Sequence, residues 1–284
     1  MIVVTGATGQ LGRLVVEGLL ELVPADRVAV VVRSPEKAAD LAARGVEVRT
    51  ADYSQPETLD GAFAAGDKVL LISGSEVGQR VEQHQAVVDA AAKAGVALLA
   101  YTSVLGGDLA TFRLADEHHA AEAAIRASGL PFVLLRNGWY TEVYTGTLSQ
   151  TLEHGAVFSS AGEGRVASAA RADYAAAAVA VLTTEGHENR AYELSGDTAW
   201  SFAEYAAEVA AQSGRPVVDR ELTSEQQLQL LLDAGLPQPF AELLVDVDAG
   251  IARGELAVST GELSRLIGRP TTPLADSVRA ALRQ

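Results

Sequence analysis

Three glycines at even spacing stand where a first strand must hand over to a first helix. Gly6-Ala7-Thr8-Gly9-Gln10-Leu11-Gly12 follows the β-branched run Ile2 to Thr5 and opens a stretch with apolar residues at helical period. At such a junction, glycine lets the backbone turn tightly, brings amide N–H groups close to a diphosphate, and lets the helix pack against the strand. The helix N-terminus adds a positive potential. The spacing is Gly-x-x-Gly-x-x-Gly rather than Gly-x-Gly-x-x-Gly, so its position at the head of a βαβ unit carries the argument. A plain structural turn is the alternative.

The rest of the first half agrees with that start. Short β-branched runs at Val28 to Val32, Val46 to Arg49, Lys68 to Ile72, Ala97 to Tyr101 and Phe132 to Leu135 alternate with helical stretches beginning near Gln10, Pro35, Pro56, Gln79 and Thr111. Such alternation predicts an α/β fold, a doubly wound parallel Rossmann sheet covered by helices on both faces. Ser34-Pro35-Glu36 and Ser54-Gln55-Pro56-Glu57 look like helix starts, and Gly45, Gly95 and Gly129 like left-handed helix ends.

Beyond Arg136 the pattern loosens into a Tyr/Thr/Gly-rich segment, an Ala-rich helix over Ala172 to Leu182 and a strand near Tyr192 to Leu194. Further helices follow over Ser201 to Ser213, Ser224 to Ala234 and Ala241 to Arg253. We therefore expect a nucleotide-binding core over 1–136. Residues 137–284 should partly complete the sheet and form a smaller, mostly helical substrate lobe, the whole making one compact unit.

Acidic residues outnumber basic ones 37 to 22, a formal charge of −15, and the basic residues form no stripe, which argues against nucleic acid. There is no cysteine, which removes disulfides and thiolate chemistry. No targeting segment is visible and no apolar run approaches the roughly 20 residues that span a bilayer, so the chain reads as cytoplasmic and not membrane-bound. Oligomeric state stays open, a homodimer included.

Charge after the second strand selects the cofactor. NAD-binding chains carry an acidic residue there for the ribose 2′-hydroxyl, whereas this chain has Arg33, whose guanidinium can fork onto a 2′-phosphate. That predicts NADP(H); a solvated strand-end arginine is the alternative. Asp52 after the third strand suits the adenine edge, and Ser73, Gly74 and Ser75 after the fourth suit the ribose and diphosphate. The same residues also serve ordinary turns.

The glycine tract, Arg33, Leu71 to Arg80, Tyr101-Thr102-Ser103, Arg136-Asn137-Gly138-Trp139-Tyr140-Thr141-Glu142 and the closing Gly268-Arg269-Pro270 together resemble the NmrA-like branch of the atypical short-chain dehydrogenase/reductase superfamily. More narrowly, they are similar to its type-2 NADPH:quinone oxidoreductases. The resemblance implies flavin-free reduction of a quinone by NADPH. It also implies that Gly6 to Leu11, Arg33, Ser73 to Ser75, Thr102, Ser103 and Asn137 to Glu142 line the nucleotide and substrate cleft. Some members of the branch are redox sensors, so a non-catalytic NADP-sensing regulator acting through a protein partner is the rival reading.

The superfamily's usual Tyr-x-x-x-Lys pair is missing: Leu114-Ala115-Asp116-Glu117-His118 puts Leu114 and His118 at its positions. Reducing an isolated ketone makes an alkoxide that needs a positioned acid, but a quinone spreads the incoming charge as a phenolate. On this reading Asn137, Tyr140 or Thr102 donates hydrogen bonds to the quinone oxygen. His118 is either a ribose ligand or proton relay, or a structural helix residue. Trp139 and Tyr140 stack on a planar substrate or pack locally. His118 and Glu122 share a helix face but lack a further clustered ligand, so no metal is expected.

Overall fold

The computed structural model describes residues 1–74, 76 and 78–283, and divides the chain into two units that interleave in sequence. The first comprises residues 1–107, 117–137 and 171–193; the second comprises 108–116, 138–170 and 194–284. The division thus returns twice to the first unit instead of falling once near residue 136.

The first unit is built on strands β1 (Ile2–Thr5), β2 (Val28–Val32), β3 (Glu47–Thr50), β4 (Lys68–Leu71), β5 (Leu98–Val104) and β6 (Phe132–Asn137). Their order in the sheet is β3-β2-β1-β4-β5-β6, with strand Arg190–Leu194 beyond β6. The pairings from β3 through to β6 are all parallel. Chain order reverses between β1 and β4, and in open α/β sheets that reversal opens a crevice at the strands' carboxyl ends. Gly6 and Ile72 leave the sheet side by side there: a β-carbon on Gly6, whose φ is +59°, would touch Ile72 at 3.4 Å.

Strand β2 is buried throughout, as a strand covered on both faces must be. The helices are α1 (Gln10–Leu22), α2 (Ala39–Ala43), α3 (Arg80–Ala94) and α4 (Leu114–Ala127). Val3, Val69, Leu99 and Leu134 from the sheet pack with Val87, Val88, Ala121 and Ile125 from α3 and α4 in one core cluster. Gly45, Gly95 and Gly129 all have positive φ, as their helix-end roles require.

Three local expectations change. The helix expected near Pro56 is only a 3₁₀ turn, Pro56–Leu59, because Gly61 at φ +81° follows at once. The helix expected at Pro35 begins as a 3₁₀ turn, Pro35–Ala38, and Ser34 makes no side-chain cap bond. Strand β5 runs three residues past Tyr101, because Thr102, Ser103 and Val104 keep pairing with Leu135, Arg136 and Asn137.

The second unit holds helices Phe202–Ser213, Ser224–Asp233 and Gln238–Ala252 and two small sheets. Trp200–Ser201 pairs antiparallel with Arg165–Val166, and Val218–Glu221 pairs parallel with Ala156–Ser159. Ser201 with Glu204 and Thr223 with Gln226 form capping boxes that start the first two helices. Tyr144, Trp200, Phe202 and Tyr205 cluster edge-to-face or tilted, with neighbouring ring centres 4.8 to 6.1 Å apart.

Within the first unit, α1 lies close against the Ala-rich helix Arg171–Thr183: a β-carbon at Gly18 would stand 3.0 Å from Val179 Cγ2. Gly18→Leu should therefore overpack this contact and cost about 1–3 kcal/mol. Gly18→Ala should be close to neutral, since helix propensity offsets the crowding by about 1 kcal/mol. Urea unfolding midpoints of both variants check this; equal midpoints would show that the two helices do not press together at Gly18.

Candidate active site

The glycine tract forms a tight elbow. Gly9 N donates to Gly6 O at 3.0 Å, and α1 begins at Gln10 with Gly9 as an extended N-cap that offers no side-chain bond. No acidic residue stands in the first turn. A β-carbon on Gly12 would lie 2.3 Å from Gly6 O and 2.7 Å from Ala7 Cα, so only glycine fits. The uncapped amides at this end are what a diphosphate needs, and Ala7, Thr8, Gln10 and Leu11 supply the backbone of the same cradle.

Arg33 follows β2 directly. Its exposed guanidinium pairs with Glu76 at 2.7 Å, and Gln83 also donates to Glu76. Those two donors, Gln83 foremost, hold the Glu76 carboxyl below its ordinary range. After β3, Asp52 Oδ1 accepts from Ser54 N at 2.9 Å, which is local turn chemistry. After β4, three successive amides are each taken by a side chain from a different element. Ile72 N donates to Thr5 Oγ1 at 3.1 Å, Ser73 N to Thr102 Oγ1 at 2.8 Å, and Gly74 N to His84 Nε2 at 3.0 Å. Ser75 lies outside the described residues.

Thr102 also donates to Ser73 Oγ at 3.3 Å, so its buried hydroxyl is engaged with the β4 turn. Ser103 faces another way and donates to Glu122 Oε1 at 2.6 Å. Arg136 clasps both oxygens of that carboxylate, at 2.9 and 2.6 Å, and reaches Glu193 at 2.8 Å. Burial pushes the Glu122 carboxyl up, but the Arg136 and Ser103 hydrogen bonds outweigh it and keep the group below its usual value. Gly107 makes room for this ion pair, since a β-carbon there would overlap the Arg136 guanidinium. Asn137 ends β6, nearly buried, with its carbonyl accepting from Leu105 N at 2.9 Å.

His118 is buried and its Nδ1 lies 2.7 Å from Tyr101 Oη. Tyr101 Oη in turn lies 3.4 Å from Nδ1 of His84, also fully buried. Burial, reinforced by the Arg80 guanidinium, pulls His118 down to about 3 and His84 to about 4. His118 and Glu122 serve different partners despite sharing a helix face. Among the described residues, no group of three or more His, Asp or Glu side chains is placed to hold a metal ion.

In the second unit, Gly138 N donates to Leu194 O at 2.7 Å, and Trp139 and Thr141 exchange backbone bonds with Ala169. Thr141 Oγ1 lies 2.8 Å from Ser168 Oγ, which also accepts from Trp200 Nε1. Trp139 and Tyr140 are half-buried, and Tyr140 caps the short helix Thr141–Thr145 whose first turn holds Glu142.

Sequence reasoning named Tyr101, Arg80 and Arg136 only within the tracts that carry the resemblance, without a role, and passed over His84 and Glu193. Arg80 and His84, four apart on one face of α3, were the available signal, because two polar residues on a buried face need partners.

An uncapped helix behind a glycine elbow, at the reversal point of a parallel sheet, defines a dinucleotide-binding class of Rossmann protein. The chain belongs to the NAD(P)H-binding family, which it matches over residues 6–185. It is 48% identical to quinone oxidoreductase 2 of Escherichia coli (strain K12), over 98% of this chain and 97% of that one. An NADPH-dependent quinone oxidoreductase from E. coli, solved in complex with NADPH, superposes with a TM-score of 0.97 at 48% identity, covering all of both chains. A triphenylmethane reductase from Citrobacter sp., complexed with NADP(H), gives 0.95 at 42% identity and covers 99% of this chain and 100% of that one. Among the described residues, no helix is long and apolar enough to cross a membrane.

Both depressed histidines bear on acid stability. Below about pH 6.5 an unfolded chain protonates both rings while the folded one keeps them neutral, so stability falls as pH drops from there toward 4. The groups facing them are Arg80 on α3, Tyr101 on β5, and Glu117 and His119 on α4. His84→Gln removes one of the two protons from the balance, so its Tm should fall less steeply between pH 7 and 5 than the wild type's. Parallel curves would mean that His84 takes up its proton within the fold.

Proposed function

We propose that the protein transfers hydride from NADPH to a quinone or similarly conjugated acceptor without a bound flavin, as a cytoplasmic enzyme. The observation that carries this reading is the chemistry left on α4. His118 stands where the superfamily keeps its lysine, as a neutral ring whose Nδ1 is taken by Tyr101, and Leu114 replaces the tyrosine. Neither of these two positions offers a strong proton donor, which suits an acceptor that stabilises its own negative charge. The kinship with the two reductases above supports the same chemistry.

Bound NADPH supplies the hydride. The residues of the chain hold and orient. The amides at the start of α1 meet the diphosphate, and Ser73 and Gly74 flank the ribose. Arg33 forks onto the 2′-phosphate, exchanging Glu76 for it. Asn137 donates a hydrogen bond to the quinone oxygen, and protons come from water. Thr102 supports Ser73.

Purified flavin-free protein, given NADPH with a quinone, an azo dye, an enal and a simple ketone, tests the reading by loss of nicotinamide absorbance. Turnover with the quinone and none with the ketone is expected. Tight NADPH binding with no oxidation by any acceptor would return the rival regulator. Arg33→Asp should cut kcat/KM for NADPH by about 10- to 100-fold and invert the preference toward NADH. An unchanged NADPH to NADH ratio would take Arg33 out of cofactor selection. Asn137→Ala should lower kcat by about tenfold with little change in NADPH affinity; equal turnover would remove Asn137 from the site.

A further inference from the structure

The third amide after β4 is held differently from the first two. Thr5 and Thr102 reach Ile72 and Ser73 from neighbouring strands, but Gly74 has left the sheet and its acceptor comes from α3. That acceptor is a histidine, and its position in a buried chain decides where every proton lies. A backbone N–H can only donate, so His84 Nε2 accepts from Gly74. A neutral imidazole accepts at one nitrogen and donates at the other, so His84 carries its proton on Nδ1 and gives it to Tyr101 Oη at 3.4 Å. The phenol has one proton of its own, directed to His118 Nδ1 at 2.7 Å. His118 therefore accepts at Nδ1 and carries its proton on Nε2.

Each link has one proton, and all run the same way. Protonating either ring would set two donors face to face, at Gly74 or at Tyr101. The surroundings oppose that proton: both rings are buried and the Arg80 guanidinium is nearby.

We infer that His84, Tyr101 and His118 form a proton-ordered chain that fixes the Gly74 amide, making His84 a positioning residue for nucleotide binding at the turn after β4. The inference rests on the reading that NADPH lies against Ser73 and Gly74.

The order of protons is testable without any ligand. The chain has only five histidines, so ¹⁵N-histidine NMR of the full protein can be assigned by single substitutions. At pH 7, His84 should show the Nδ1–H tautomer and His118 the Nε2–H tautomer. A charged ring at either position, or Nε2–H on His84, would overturn the chain. Function is then read from two variants. His84→Leu, which cannot accept from Gly74, should raise KM and Kd for NADPH about tenfold while kcat stays within about twofold. His84→Gln, whose Oε1 replaces Nε2 as acceptor, should restore both. Unchanged KM in His84→Leu, or failure of glutamine to rescue, would reject the positioning role. Should His84→Leu not fold, Tyr101→Phe serves in its place: it releases the His84 tautomer and should raise KM, and an unaltered KM counts against the proposal. Calorimetry of the wild type with NADPH separates the two ideas. No heat would sink the cofactor reading itself, whereas normal wild-type binding with indifferent variants would sink only this inference.

Discussion

Contact between Gly12 and the Gly6 carbonyl, too close for any β-carbon, is the constraint from which the rest of the first unit follows. It brings the start of α1 against the end of β1, so the helix begins with bare amides and no cap. That arrangement would be a cost in an ordinary helix, because unsatisfied N–H groups at a terminus need partners. Here the exposed amides point a partial positive charge toward the place where the order of strands reverses. Binding an anion at that end satisfies the helix and defines the site with a single feature of backbone geometry.

The electrostatics divide into two regimes. Arg33 and Glu76 meet in the open, where solvent screens them and a modest interaction can be exchanged for another anion. Arg136, Glu122 and Ser103 meet in shelter, where a charge without a partner would be expensive and the bidentate clasp leaves none. The first pair suits selection of a ligand. The second braces β6 against α4, next to Asn137, and keeps the strand end from which that residue projects.

Most of the sheet was legible because its signals are local. The central strands are short apolar runs, and glycines with left-handed φ mark several helix ends. Arg33, Ser73 and Gly74 of the candidate site could be singled out because they follow strand ends, where the strand-end rule looks for ligands. What could not be read has a common cause. Arg165–Val166 is too short to show a period, and Val218–Glu221 is mostly charged and exposed, so neither carries the apolar run of a sheet strand. The interleaving of the two units depends on contacts that no spacing encodes. The buried chain joins α3, β5 and α4 across gaps of 17 residues on each side, and nothing in the sequence of His84 tells it from a solvated helix residue. Ser103 was attached to the nucleotide by resemblance, whereas strand alternation turns its hydroxyl toward Glu122, away from the side Thr102 faces.

The turn at Ile72, Ser73 and Gly74 owes its shape to three acceptors drawn from three different elements, β1, β5 and α3. None of the three can reach its amide until strand, strand and helix have docked around β4. The turn is thus a product of tertiary contact, and it keeps its shape only where β1, α3 and β5 are packed around β4.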